Sequence, residues 1–356
     1  MRYKEDWEAA KKRHTAFWNG EVIDRCCVNV RCGDSELPRL LDEFWQKNNW
    51  DIRLVRMDPE RFIQQNRLVM AHTYYGGDAF PLVSLDLGAS GHAGFFKGAK
   101  YQIGDTVWFF PTLENPDTLE FDESSCLFQK TLEFARALAQ DSGGDYCVSM
   151  PDTAGNADAL AHLMGSEELM LAMVENPDAV KGALRKIQTA YEIIMKRVFQ
   201  IVEPVNDGGS CVGWLSSWAP GFHAQMQCDM SVMISNPMFE EFIMPELRAQ
   251  CELLNYPLYH FDGIEQLRHL DSLLSLPGLR TIQWTQVAGQ PPCTEFIPHL
   301  QKIQAAGKNL LIHVDPCQIR PLMENLSSRG LYLLTWANSR DEADAIVKDV
   351  TRMTHD

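Results

Sequence analysis

Short apolar runs alternate along this chain with longer stretches in which apolar residues recur at helical spacing, and the alternation continues to the C-terminus. Strands are predicted over residues 26–31, 81–87, 145–150 and 211–217, then 257–259, 281–285, 309–314 and 331–336. Helical periodicity fills most of the intervals: Leu40, Leu41 and Phe44 in one, Phe62, Leu68 and Met70 in the next, Phe239, Phe242, Ile243 and Leu247 further on. Asn176-Pro177 breaks the helical region 156–202, and Gly307 stops the helix predicted over 295–306. Trp7, Ala10, His14 and Phe17 give the first 25 residues a helical reading. The interval 88–115 is irregular, yet its aromatic block Trp108-Phe109-Phe110 is too apolar for a linker.

Eight strands separated by helices predict a parallel sheet, and that number of repeats predicts its closure into a (β/α)8 TIM barrel. An open doubly wound sheet is the competing arrangement. The expected organisation is a helical N-terminal extension, residues 1–25, followed by a single barrel domain, residues 26–356.

Charge and composition narrow the function classes. The formal net charge is −16 with no Lys/Arg cluster, which argues against nucleic acid and anionic membrane as partners. No apolar run approaches the ~18–20 residues of a membrane span. The N-terminus MRYKEDWEAAKKRH has no apolar core of a secretory leader, and ten cysteines include no CxxC pair. Reduced thiols in the cytoplasm are the expectation.

In a barrel the active site lies at the C-terminal ends of the strands. Those ends carry Arg31, Asp86, Asp152, Ser216, Trp218, His260, Asp262, Trp284, His313, Asp315, Trp336 and Asn338. Strand alternation points His260 and Asp262 the same way, with Phe261 opposite. The pair can bind a metal, bind substrate or move a proton, or be a structural hydrogen-bonded pair. A metal needs further ligands, for which Cys228 and Cys317 are available. Asp86 ends an apolar strand, where desolvation would raise its pKa and suit a general acid; capping the next turn is the alternative. Asp229, before the helix marked by Ser235-Asn236-Pro237, reads as loop-to-helix support. Trp108, Trp214, Trp218, Trp284 and Trp336 fall near strand ends, where aromatics can stack on a flat ligand or enclose a methylated ammonium. No GxGxxG follows a strand and no GxSxG occurs. His260, Asp262, Asp86 and Trp218 are expected to line one pocket.

Several segments resemble the uroporphyrinogen decarboxylase superfamily, which includes the decarboxylase and corrinoid-linked methyltransferases. They are DRCCVNV, SLDLG, QCDMSVMISNPMFEEFIMPEL, YHFDG and IQAAGKNLLIHVDP, with the closing strand and helix. The resemblance covers nearly the whole chain from about residue 10 and implies a TIM-type barrel. The zinc methyltransferases are similar at HxC on strand five: His260 stands at the first position, Asp262 replaces the Cys, and LLTWANSRDEA lacks their final Cys. The decarboxylases are similar at Asp86, while their Arg-rich segment has only Arg31 as counterpart. The methyltransferase branch implies transfer of a methyl group from a small O- or N-methylated substrate to a corrinoid carried by a partner protein. In that case His260, Asp262 and Cys317 would hold a divalent metal such as zinc. Trp218, Trp284, Trp336, Trp108, Ser216, Arg31 and Asn338 would contact substrate. The alternatives are a decarboxylase of a cyclic or pyrrolic acid using Asp86, and a non-catalytic ligand-binding barrel.

Overall fold

The computed structural model describes residues 1–85 and 88–355. Asp86 lies outside the described residues. The first strands are β1 (Cys27–Gly33), β2 (Thr73–Gly77) and β3 (Leu82–Val83), followed by the hairpin β4 (Lys100–Ile103) and β5 (Val107–Phe110). Then come β6 (Cys147–Val148), β7 (Ser210–Val212), β8 (Ser217–Ala219) and β9 (His223–Met226). The C-terminal strands are β10 (Tyr256–Phe261), β11 (Thr281–Trp284), β12 (Asn309–His313) and β13 (Leu331–Trp336).

The result is a mixed α/β fold around a parallel-rich sheet ordered β2-β1-β13-β12-β11-β10-β9, in which only β2 runs antiparallel to its neighbour. The shorter strands β3 and β6 pair in parallel, and a bridge from Met150 to Val212 leads on to β7. The Ser210 hydroxyl donates to the His223 carbonyl (3.0 Å) and accepts the His223 N–H (2.7 Å), linking β7 to β9. Among the described residues no ladder joins β1 to β3, so a closed eight-stranded ring is not traced. The physical reason is β2. It occupies the edge of β1 that closure would use, and it follows the helix Pro59–Ala71 so directly that helical periodicity hid it.

Strand parity sorts the side chains. Cys27, Leu258, Leu311 and Tyr332 share one face and pack with Phe17 and Trp18 of the N-terminal helix Trp7–Trp18. Val28, Tyr259, Phe261, Ile282, Ile312 and Leu333 face the surrounding helices in the main core. The N-terminal helix is therefore a plug at the strands' N-terminal ends: Trp18 donates from Nε1 to the Trp218 carbonyl (2.8 Å). Under it lies a buried ion cluster. Asp78 is fully buried and accepts from Arg25 Nη1 and Nη2 (the latter 2.9 Å), Arg13 Nη1 (3.3 Å) and the Val28 N–H (2.9 Å). No helix among the described residues is long and apolar enough to cross a membrane.

Candidate active site

The parity that puts Leu258 on the inner face puts His260 there too, one step nearer the strand's C-terminal end. His313 follows Leu311 on β12 in the same way. Gln283 of β11 lies directly beside His260 in the ladder. The His260 Nδ1–H donates to Gln283 Oε1 at 2.5 Å, and Thr285 Oγ1 stands 3.1 Å from the same nitrogen. This commits Nδ1 and leaves Nε2 as an acceptor. Nε2 faces two carboxylates, Asp229 Oδ1 and Asp262 Oδ1, each 4.0 Å away. Trp214 presses edge-on against the ring at 4.9 Å and 90°.

Asp229 is placed by a buried neighbour. It opens the 3-10 turn Asp229–Met233, whose first two N–H groups, those of Asp229 and Met230, donate to Asp158 at 2.9 and 2.8 Å. Asp158 stands in the first turn of helix Asn156–Met164. Burial, then the charge of Asp229, raises its carboxyl to about 7, against the opposing pull of the two backbone N–H groups. Asp229 is raised to about 6, by loss of water and then by the charge of Asp262. Half of its side chain still meets solvent, so the acid is both protonatable and accessible. Burial lowers the His260 pKa below its ordinary value, opposed by Gln283 and the nearby aspartates. At neutral pH the ring is neutral.

The opposite wall carries Arg31 and His313. Arg31 donates from Nη2 to the Phe80 carbonyl (3.2 Å), and its Nε is buried without a protein partner. His313 is pushed down to about 4 by loss of water and then by the charges of neighbouring His260, once that ring is protonated, and Arg31. Trp336, half exposed, lies beside Arg31 in the β13–β1 ladder.

Other expected site residues lie elsewhere. Trp218, expected beside His260, is buried at the plug end: it packs edge-on with Trp7 at 5.6 Å and donates to the Asn206 carbonyl (3.0 Å). Trp284 has the opposite parity to Gln283 and stacks on Phe261 at 5.1 Å among the helices. Ser216 occupies the β7–β8 turn at φ +49° and accepts from the Tyr332 hydroxyl through its carbonyl (2.7 Å). Trp108 is exposed on the β4–β5 hairpin, and Asn338 donates to the Glu342 carboxylate (3.0 Å) just before the last helix, which Ser339 caps. Asp152 accepts from Gln225 (2.9 Å), and Asp315 caps its own turn. Cys317 is exposed on the turn Pro316–Gln318.

A divalent metal such as zinc needs ligands at ~2.0–2.2 Å in a closed group. Among the described residues no group of three His, Cys, Asp or Glu side chains is placed to hold a metal ion. His260, Asp262 and Cys317 as they stand do not fit a zinc site. Cavity size does not mark the site either: two large cavities, about 680 and 670 Å³, lie at the strands' N-terminal ends and beside the N-terminal segment.

Gly155 is a test of this construction. It has φ +78°, and a Cβ there would sit 2.1 Å from Asp158 Oδ2. Gly155→Ala is expected to cost about 1–3 kcal/mol of stability and to displace Asp158 from the 229–230 turn. The urea midpoint and the Met230 amide NMR shift are the measurements; an unmoved amide would contradict the arrangement.

No protein-family model matches the chain, and a search of curated proteins finds no match. Among solved structures it is similar to a methyltransferase from Methanosarcina mazei, with TM-score 0.64 and 12% identity over 96% of this chain and 98% of that one. At that identity the likeness shows the fold.

Proposed function

We propose that this chain is a methyltransferase that removes a methyl group from a small O- or N-methylated substrate and passes it to a reduced corrinoid carried by a partner protein. The reading includes a barrel closed with β2 standing between β1 and β3. The links from β6 through β7 to β9 support it by extending the sheet around most of a ring. It also includes a cytoplasmic location, in keeping with ten unpaired cysteines. The fold likeness supports the reaction class. The observation that carries the chemistry is the protonatable Asp229 facing the neutral His260 at the strand ends.

When bound, the corrinoid supplies a strong nucleophile for the methyl carbon. The chain's residues must then make the methyl-bearing oxygen or nitrogen a good leaving group. A separation of 4.0 Å is too long for a hydrogen bond between His260 Nε2 and either carboxylate. The gap admits a substrate whose heteroatom lies ~2.8 Å from the Asp229 carboxyl, as a hydrogen bond needs, beside His260 Nε2. As the C–O or C–N bond breaks, its electron pair stays on the heteroatom, which takes the proton from Asp229; Asp229 ends as a carboxylate. His260, fixed by Gln283, orients the substrate by accepting from one of its N–H or O–H groups at Nε2. Trp214 and Trp336 exclude water from the methyl group. No step is routed through a metal.

The sign of the pH dependence follows. Asp229 works protonated, and its pKa is about 6 with Asp158 behind it at about 7. Methyl removal is expected to be fastest below these values and to fall as pH rises through 6 to 7. Initial rates over a panel of methyl ethers and methylamines, measured from pH 5 to 9 with reduced corrinoid present, test this. A rate rising across that window would contradict it.

A further inference from the structure

The site leaves one buried acid unexplained. Glu246, on helix Met244–Leu253, is 5% exposed. Its Oε1 accepts the Asn156 N–H at 3.3 Å, while Oε2 is buried with no partner in the protein. Asn156 opens the helix whose first turn carries Asp158, so the two carboxyls share one helix N-terminus. An orphaned buried oxygen of this kind requires an explanation. On its outer side, a groove of about 480 Å³ between helices Pro177–Val202 and Met244–Leu253 reaches Glu246 past Lys181, Arg185, Gln188 and Ala249. A polar chain follows the groove. Gln188 Oε1 accepts from Asn156 Nδ2 (2.8 Å) and Gln250 Nε2 (3.2 Å), and its own amide donates to Glu192 near the surface (3.4 Å). Asn156 Oδ1 and Gln250 Oε1 are likewise without partners, as acceptors for water would be.

We propose that Glu246 is the inner end of a proton path that enters from this groove, reaches Asp158, and restores the proton of Asp229 from the side away from the substrate. The proposal rests on the reading of Asp229 as the acid. Each cycle leaves Asp229 one proton short. One O–H bond breaks and one forms at each transfer, from Asp158 to Asp229 and from Glu246 to Asp158, and a groove water then relays a proton from bulk solvent to Glu246. Burial, with the charge of Asp158, holds the Glu246 carboxyl well above the ordinary carboxylate range, which favours its protonated form. The buried titratable groups facing the two acids are Tyr191 from one helix, Cys228 and Asp229 from the loop after β9, Tyr259 of β10, and His260. Lys181 and Arg185 stand on the groove wall, Lys181 paired with Glu241 at 2.6 Å, and the Glu246 carboxyl is raised with both in place.

The test uses the full chain without substrate or corrinoid, so its failure leaves the methyl-transfer reading standing. After a rapid drop in pH, infrared absorption of the protonated carboxyl groups follows refilling of the buried acids. Glu246→Gln is expected to lose one band at pH 7 and to refill roughly tenfold or more slowly, as removal of one proton-transfer group should. Ala249→Leu, which narrows the groove on a partly exposed wall, is expected to slow refilling while keeping the band. It also serves if Glu246→Gln fails to fold. Unchanged rates in the folded variants, or absence of a Glu246 band in the wild type at pH 7, would overturn the path. Slowing in Glu246→Gln with Ala249→Leu unaffected would overturn the groove as its entrance.

Discussion

Replacing His260 with alanine, or Asp229 with asparagine, is expected to slow methyl removal by ~10²-fold or more, with kcat and kcat/KM falling together. The equal fall is the informative part. Asp229 protonates the heteroatom as the bond to carbon breaks and His260 holds the substrate aligned for that step, so the loss of either raises the barrier. Neither change should unfold the protein. Asp158 holds the 229–230 turn through backbone N–H groups, and the Asp229 carboxylate itself takes only a 3.3 Å hydrogen bond from Gln227. Cys317→Ala, on an exposed turn, is expected to leave the rate unchanged. Steady-state kinetics with matched unfolding curves check all three. A raised KM at constant kcat would assign His260 to binding alone.

The second large effect is on stability. Asp78→Ala is expected to cost about 3–5 kcal/mol, because it leaves Arg25 buried without its partner. Arg25 is 5% exposed and gives two hydrogen bonds to Asp78, which also holds Arg13 and the start of β1 through the Val28 N–H. Asp24→Ala removes the other partner of Arg13, but that carboxylate is half exposed. Its loss should stay within ~1 kcal/mol. Urea unfolding of the two variants gives the comparison, and equal midpoints would show that the buried cluster contributes no more than a surface pair.

The alternation of strands and helices was legible in the sequence because apolar period distinguishes the two wherever a strand has one wet and one dry neighbour. β13 and β11 are found within a residue of their expected bounds. Three features escaped. β2 follows a helix with only Thr73-Tyr74-Tyr75 to signal it, and β9 reads His-Ala-Gln-Met, a polar alternation that resembles a loop. The expected strand 211–217 is in fact the hairpin β7–β8, turned at Ser216.

At the site, His260 and Asp262 were legible because they share strand parity. The same rule, applied to Trp284, would have sent it to the helices, since its neighbour Gln283 faces inward. Trp218 was misplaced when the hairpin turned it toward the N-terminal helix. Asp229 and Asp158 are 71 residues apart, and their meeting depends on the fold. Only the acidic Asp229 beside a helix start hinted at it.

The most direct test is a single-turnover experiment with the purified chain and a reduced corrinoid, adding one methylated ether or amine at a time. Corrinoid absorbance reports methylation and mass analysis reports the demethylated product. The expected result is methylation that requires the chain, with one product molecule per methyl group transferred and little reaction in Asp229→Asn. No chain-dependent methylation by any methyl ether or methylamine, or release of CO2 from a pyrrolic acid without corrinoid, would contradict it.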